Sequence, residues 1–321
     1  MNNIKEKIEI YQAYIYFGAV IVAMVFGLLL PNVAKHFSSF SMGLLFLLML
    51  VMFLQLPFFK IKDQLNHMSF IGALLVSQFI VIPLFVFALI HVLHINDLPI
   101  LIGLYLVLLC PCIDYVIVFT HLGKGNATMM LMSTPLLFIL QMVLLPLYFM
   151  MFLPTDAMRV IDFAPFIHTF VLIILVPVIV AVVLQFLGRH SHQVNSLVGH
   201  SDWFPVPLMA LVLFTIISAH IHYIAQHLHI VAIVVPVYLI FVIIVPFIAN
   251  LIGRLFRLAP VMRRTLIFSS STRNALVVLP LAFALPGEWR IIASTVIVTQ
   301  TCVELIAELV YIKVIPKLLY K

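Results

Sequence analysis

The sequence is short of charge: only 9% of its 321 residues are Asp, Glu, Lys or Arg, against 65% hydrophobic. A soluble chain of this length needs far more polar surface to cover its outside, so a soluble domain is excluded. Cysteine is equally sparse. Cys110, Cys112 and Cys302 all lie inside apolar stretches, which excludes an external disulfide framework and leaves any thiol role at membrane depth. No linker is long enough to separate domains, and no basic run is interleaved with aromatics, so a nucleic-acid surface is excluded as well. The first apolar stretch, Ala13 to Leu30, lacks a small-residue cleavage site and reads as a retained helix rather than a removed signal peptide. The chain is expected to be no enzyme and to need no cofactor.

What is present is a series of apolar runs of spanning length. They fall at 13–30, 41–59, 69–91, 98–120, 126–152, 163–187, 204–222, 230–252, 262–285 and 291–315. The expected fold is therefore all-α and integral to the membrane, with ten transmembrane helices in one transporter domain over 1–321. With a cytoplasmic amino terminus, the inside loops and tails hold thirteen basic residues, among them Lys60, Lys62, Lys124, Arg254, Arg263, Arg264 and Lys321; the outside keeps only Lys35, Arg159 and Arg290. That bias predicts a multi-pass protein of the cell membrane with both termini cytoplasmic. The loop at 188–203 reads as a plain connection. Histidines at the external ends, including His91, His94, His220, His222, His227 and His229, offer metal ligands without a defined spacing, and solvated loop residues are the other reading.

The runs are broken by a polar island, Ser269-Ser270-Ser271-Thr272-Arg273-Asn274. A guanidinium at bilayer depth costs several kcal/mol unless it faces protein or water, so Arg273 marks a functional site and needs a partner. Serine and threonine are poor helix formers, and backbone leaves the helix in a membrane only where it is buried or lines a cavity. A second interruption reads Cys110-Pro111-Cys112-Ile113-Asp114-Tyr115, where Pro111 removes a donor and opens the fourth helix. An internal repeat relates the two. Val20 to Ala23 recurs as Val178 to Ala181, Gln141 as Gln300, and Asp114 falls on Asn274. Five helices precede the repeat, an odd number, so the halves 13–152 and 163–315 are expected to be inverted copies. Interrupted helices 4 and 9 would then cross near the midplane, with Asp114 as the partner of Arg273. Two roles stand side by side for the pair, direct participation in transport and a lock on the crossing.

The last segment places Gln300, Glu304 and Glu308 on one helical face and turns Cys302 away from it. Glu304 lies roughly 13 Å from Lys313 along the helix, inside the hydrocarbon. Burial penalises a charged carboxylate, which makes Glu304 a candidate proton carrier, a packing hydrogen bond being the alternative. Gln78, Ser133, Thr134 and Gln141 supply neutral oxygens for the same region or for interhelical bonding.

The stretches Cys112 to Val116, Leu122 to Asn126 and Ser271 to Leu276, with ten predicted helices, resemble the arsenite permease branch of the bile acid:sodium symporter superfamily. The resemblance implies two inverted five-helix repeats arranged as a core and a panel, with helices 4 and 9 crossing. It also implies that Cys112 matches the essential helix 4 cysteine of those permeases. The arsenite permeases carry small and sulfur-bearing residues after that cysteine, where this chain has Asp114 and Tyr115. Bile acid symporters bind sodium with a glutamate in the helix 9 crossing; this chain has Arg273-Asn274 and no acid there, so H⁺ rather than Na⁺ is the expected coupling ion.

The function expected is proton-coupled efflux of arsenite or antimonite by alternating access, with transport of a small organic anion as the alternative. Substrate contacts are assigned to Cys112, Asp114, Ser271, Thr272, Arg273 and Asn274, and ion or proton coupling to Asp114, Glu304, Gln300, Gln78 and Thr134. Trivalent arsenic is thiophilic, and a lone Cys112 thiolate binds it weakly enough to release it. A buried cysteine acting as a small apolar residue is the competing reading.

Overall fold

The computed structural model describes residues 2–56, 58, 67–113, 115–154, 163–201, 203–226 and 228–318, and the ordered elements among them are helices. They are α1 (Asn2–Leu29), α2 (Pro31–Gln55), α3 (Met68–Val92), α4 (Leu98–Leu108), α5 (Val116–Leu122) and α6 (Ala127–Phe152). Then follow α7 (163–188), α8 (His192–Ser201), α9 (Pro205–Gln226), α10 (Leu228–Leu255), α11 (Pro260–Ser271), α12 (Ala275–Phe283) and α13 (Trp289–Leu318). Among the described residues, α3, α6, α10 and α13, with Ile167–Gly188 of α7, are each long and apolar enough to cross a membrane. Exposure is distributed as lipid requires. Met151, Ile243 and Phe247 are 71%, 61% and 63% exposed, whereas Arg273, Glu304 and Glu308 are at most 1% exposed. The chain is an integral membrane protein of helices.

Two expectations shift. The predicted connection at 188–203 contains α8, and the polar island does not leave the helix at Ser269. Ser269, Ser270 and Ser271 complete α11, and the break is confined to 272–274. Three serines stay helical because α3 meets them. The Ser77 and Ser270 hydroxyls are 2.8 Å apart, and Gln78 Nε2 donates to the Ser269 carbonyl at 2.7 Å and to its hydroxyl at 3.0 Å.

The chain divides into two compact units, each drawing on both halves of the sequence. The first gathers Met1–Leu56, Asp162–His229 and Leu279–Ile291. There α1 and α9 approach so closely at Gly27 that a Cβ would stand 2.3 Å from the Ser218 carbonyl oxygen, and Phe26, Phe37 and Phe214 pack ring to ring beside them. The end of α2 is closed by α7: Gln185 Nε2 lies 3.1, 2.9 and 2.9 Å from the carbonyls of Phe53, Leu54 and Leu56, and the Leu56 amide also donates to the Phe53 carbonyl at 3.2 Å.

The second unit gathers Pro57–Ile161, Ile230–Val278 and Ile292–Lys321. Prolines interrupt the backbone bonding of its long helices, and tyrosines repair what the prolines remove. Pro83 has no N–H to give to the Phe79 carbonyl four residues back, and Tyr148 of α6 donates to that carbonyl at 2.6 Å. Pro246 stands in the same relation to Val242, whose carbonyl accepts from Tyr311 of α13. Pro83 and Tyr148 recur 163 residues later as Pro246 and Tyr311, and the Phe79 position falls at the same offset on Val242.

Candidate functional site

The two breaks meet within the second unit and pair with each other. The Asn274 amide donates to the Cys110 carbonyl at 2.9 Å and the Cys112 amide to the Thr272 carbonyl at 3.2 Å, an antiparallel bridge with Pro111 opposite Arg273. Backbone that leaves a helix at membrane depth must find partners inside the protein, and these two segments supply them to one another. Pro111 fits because the residues on either side of it carry the bridge bonds, so its missing N–H is not needed. On the far side of its break, α12 starts from an N-cap in which Asn274 Oδ1 accepts from the Val277 amide at 3.2 Å.

Arg273 is fully buried. Its Nη1 donates to the Leu108 carbonyl at 3.3 Å and its Nη2 to Gln78 Oε1 at 2.9 Å and to the Ser269 and Ser270 carbonyls. Phe241 of α10 covers the guanidinium at 5.4 Å from its ring centre. Leu108 ends α4 and Ser269 and Ser270 end α11, so one cation sits where two helices present their negative ends. The charge is thus engaged by neutral oxygens of the breaks themselves. Asp114, the expected partner, lies outside the described residues.

The carboxylate that meets Arg273 comes from α13 and engages its backbone. Glu304 Oε2 accepts from the Arg273 amide at 2.7 Å and from Gln300 Nε2, while Oε1 accepts from the Tyr115 hydroxyl at 2.5 Å. Tyr115 also lies 3.1 Å from the Arg273 carbonyl, so α5, the second break and α13 meet at one residue. One turn along α13, Glu308 Oε1 lies 2.6 Å from the Thr272 hydroxyl. Gln300, Glu304 and Glu308 do share a buried face, and Cys302 is half-buried beside it.

The remaining expected residues divide. Gln78 reaches Arg273 and Ser269 as described, and Cys112 is fully buried on the bridge. Thr134 and Ser133 give their hydroxyl hydrogens to their own helix, at Leu131 and Met129. Gln141 is buried with neither amide atom hydrogen-bonded among the described residues. The same holds for Arg273 Nε, Asn274 Nδ2, Gln300 Oε1 and Glu308 Oε2. Among the described residues no three His, Cys, Asp or Glu side chains are grouped to hold a metal ion; His227 lies outside them. Tyr115, Phe241 and Glu308 were not among the expected site residues. No local sequence signal marks Tyr115 or Phe241, whereas the four-residue spacing from Glu304 does mark Glu308.

The model of the sodium bile acid symporter family matches residues 42–227, more than half of the chain. The chain belongs to that family. Sodium bile acid symporter family members are membrane transporters rather than enzymes, and so is this protein. The matched region carries Gln78, the Cys110 to Cys112 break and Tyr115; Ser269 to Asn274 and Glu304 lie beyond it. A comparison with curated proteins returns no match.

Proposed function

We propose that the protein is a proton-coupled efflux carrier for arsenite or antimonite that works by alternating access. The observation that carries this reading is the position of Cys112, a fully buried thiol-bearing residue whose backbone is bonded to the second break. A lone thiol is a reversible ligand for a soft trivalent metalloid. The unpartnered groups of the site support the same substrate. Arg273 Nε and Asn274 Nδ2 are donors, whereas Gln300 Oε1 is an acceptor. Arsenous acid is an uncharged trihydroxide and offers both kinds of partner. The carboxylate of an organic anion offers acceptors alone, and the guanidinium that would hold it already donates to four oxygens of the chain.

The same engagement argues for H⁺ over Na⁺. A fixed positive charge at the two helix ends repels a second cation. Asp114 and Glu304 are the acids assigned to coupling, and Gln300, Gln78 and Thr134 are assigned to it with them. In this reading Ser271, Thr272 and Asn274 line the substrate path. The architecture proposed is ten spans in two inverted repeats, 13–152 and 163–315, with both termini cytoplasmic in the cell membrane. The tyrosine and proline device repeated at one offset supports the repeat, as does the way both halves of the chain contribute to each compact unit.

Expression in a metalloid-sensitive cell tests the reading. Resistance to arsenite that Cys112→Ser abolishes is the expected result, and no gain in resistance with the protein present in the membrane overturns it. In inverted vesicles, uptake of arsenite should collapse with the pH gradient and ignore sodium.

A further inference from the structure

The Thr272 hydroxyl is 2.6 Å from two oxygens at once, the Phe268 carbonyl and Glu308 Oε1. Both distances are those of full O–H···O hydrogen bonds, and oxygens this close without a hydrogen between them repel. A threonine hydroxyl owns one hydrogen, and a carbonyl oxygen has none to give. Two bonds therefore need one more proton than Thr272 supplies, and the Glu308 carboxyl is the group that can carry it. The same count creates no deficit at Tyr115. Its 3.1 Å approach to the Arg273 carbonyl is outside the O–H···O range, and its hydrogen goes to Glu304 at 2.5 Å.

The surroundings of the two acids separate them. Glu304 has three donors, Tyr115, the Arg273 amide and Gln300, which is a complete set for an ionised carboxylate. Glu308 is fully buried, its Oε2 has no partner among the described residues, and no cationic side chain pairs with it there. The titratable neighbours on its own helix are Glu304 and Tyr311, and Tyr311 gives its hydrogen to the Val242 carbonyl. From the elements packed against α13 come Tyr115 and Arg273, which donate to Glu304, and Thr272. A lone ion in that setting is costly, whereas a neutral acid is satisfied by the threonine.

We propose that Glu308 is a neutral carboxylic acid that donates to Thr272, which donates in turn to the Phe268 carbonyl, and that the carrier exchanges this proton in addition to using the acids assigned to coupling above. The second half of the statement rests on the transport reading above; the first does not. When Glu308 gives its proton to water, a carboxylate remains. The Thr272 hydroxyl then rotates to donate to Glu308, and the Phe268 carbonyl keeps the Thr272 amide at 3.1 Å. Proton release thus moves one hydrogen bond from the last turn of α11 to α13, across the break that holds Arg273.

Infrared difference spectroscopy on the purified full-length protein at neutral pH tests the protonation. The expected result is a carboxylic-acid carbonyl band that Glu308→Gln loses and Glu304→Gln keeps. The glutamine amide donates to Thr272 as the acid does, so Glu308→Gln should unfold near the wild-type temperature, with Glu308→Ala well below it. An acid band indifferent to Glu308→Gln, or one lost in Glu304→Gln instead, overturns the assignment. In vesicles, Glu308→Gln should retain substrate exchange and lose accumulation driven by a pH gradient; full gradient-driven accumulation would refute the coupling. The infrared result stands whether or not the wild type moves arsenite, so failure of the transport reading and failure of the proton assignment give different results.

Discussion

Glu304 and Arg273 are joined through the arginine backbone, with the Arg273 amide donating to Glu304 Oε2 at 2.7 Å while the guanidinium turns toward the ends of α4 and α11. The acid therefore fixes the path of the break, and the base fixes the helices on either side of it. Removing either should loosen the site in a different way.

Glu304→Ala leaves the Arg273 amide, the Tyr115 hydroxyl and the Gln300 amide without an acceptor in a buried setting. A loss of about 3–5 kcal/mol is expected, the range for stripping one partner from a buried charge cluster. Tyr115→Phe removes one donor of three and should cost about 1–3 kcal/mol. Thermal unfolding in detergent, followed by monodispersity on a sizing column, measures both.

Tyr148→Phe and Tyr311→Phe each strip a donor from a carbonyl that a proline cannot serve. Each should cost about 1–3 kcal/mol. Pro83→Ala restores an N–H four residues beyond Phe79, so the double variant Tyr148→Phe, Pro83→Ala should be more stable than Tyr148→Phe alone. A double variant no better than the single one would show that the tyrosine does not compensate for the proline.

Gly27→Ala drives a Cβ to 2.3 Å from the Ser218 carbonyl, a backbone atom that cannot swing aside. The α1 and α9 helices must separate, and overpacking of this kind costs about 1–3 kcal/mol. Gly18→Ala is the control, because its Cβ would meet nothing within 4 Å and alanine favours the helix, so the unfolding temperature should not fall.

Asp114→Asn and Arg273→Gln test the pairing expected from the sequence. If the two side chains neutralise each other, each single change costs more than the double change, with a coupling above about 0.5 kcal/mol. Additive losses would leave Arg273 to its neutral partners, Gln78, Leu108, Ser269 and Ser270.

Much of the site could be read from the chain alone, because membrane depth makes polarity conspicuous. Pro111 and Arg273 stand out against apolar surroundings, and the helices are interrupted beside both. The extent of the second interruption was not legible. Serine run composition suggests an opening at Ser269, whereas contacts from Ser77 and Gln78, more than 190 residues away in sequence, hold the serines in the helix. Tyr115 escaped for a similar reason, since its partner Glu304 is 189 positions distant. A local pattern cannot announce a contact of that separation. Glu308 was visible as a position but not as a proton carrier, because its state follows from counting hydrogens on three oxygens whose distances only the fold supplies.

The tyrosine-served prolines carry a mechanical consequence. A proline bend usually offers a helix a place to flex, since the bond it omits leaves the backbone soft there. In α3 and α10 that softness is removed by a side chain anchored on a neighbouring helix, Tyr148 on α6 and Tyr311 on α13. Flexing at either proline would have to tear a hydroxyl from its carbonyl. The two helices therefore behave as braced girders, and any deformation of this unit during a transport cycle is pushed onto the short non-helical links at Pro111 and Arg273.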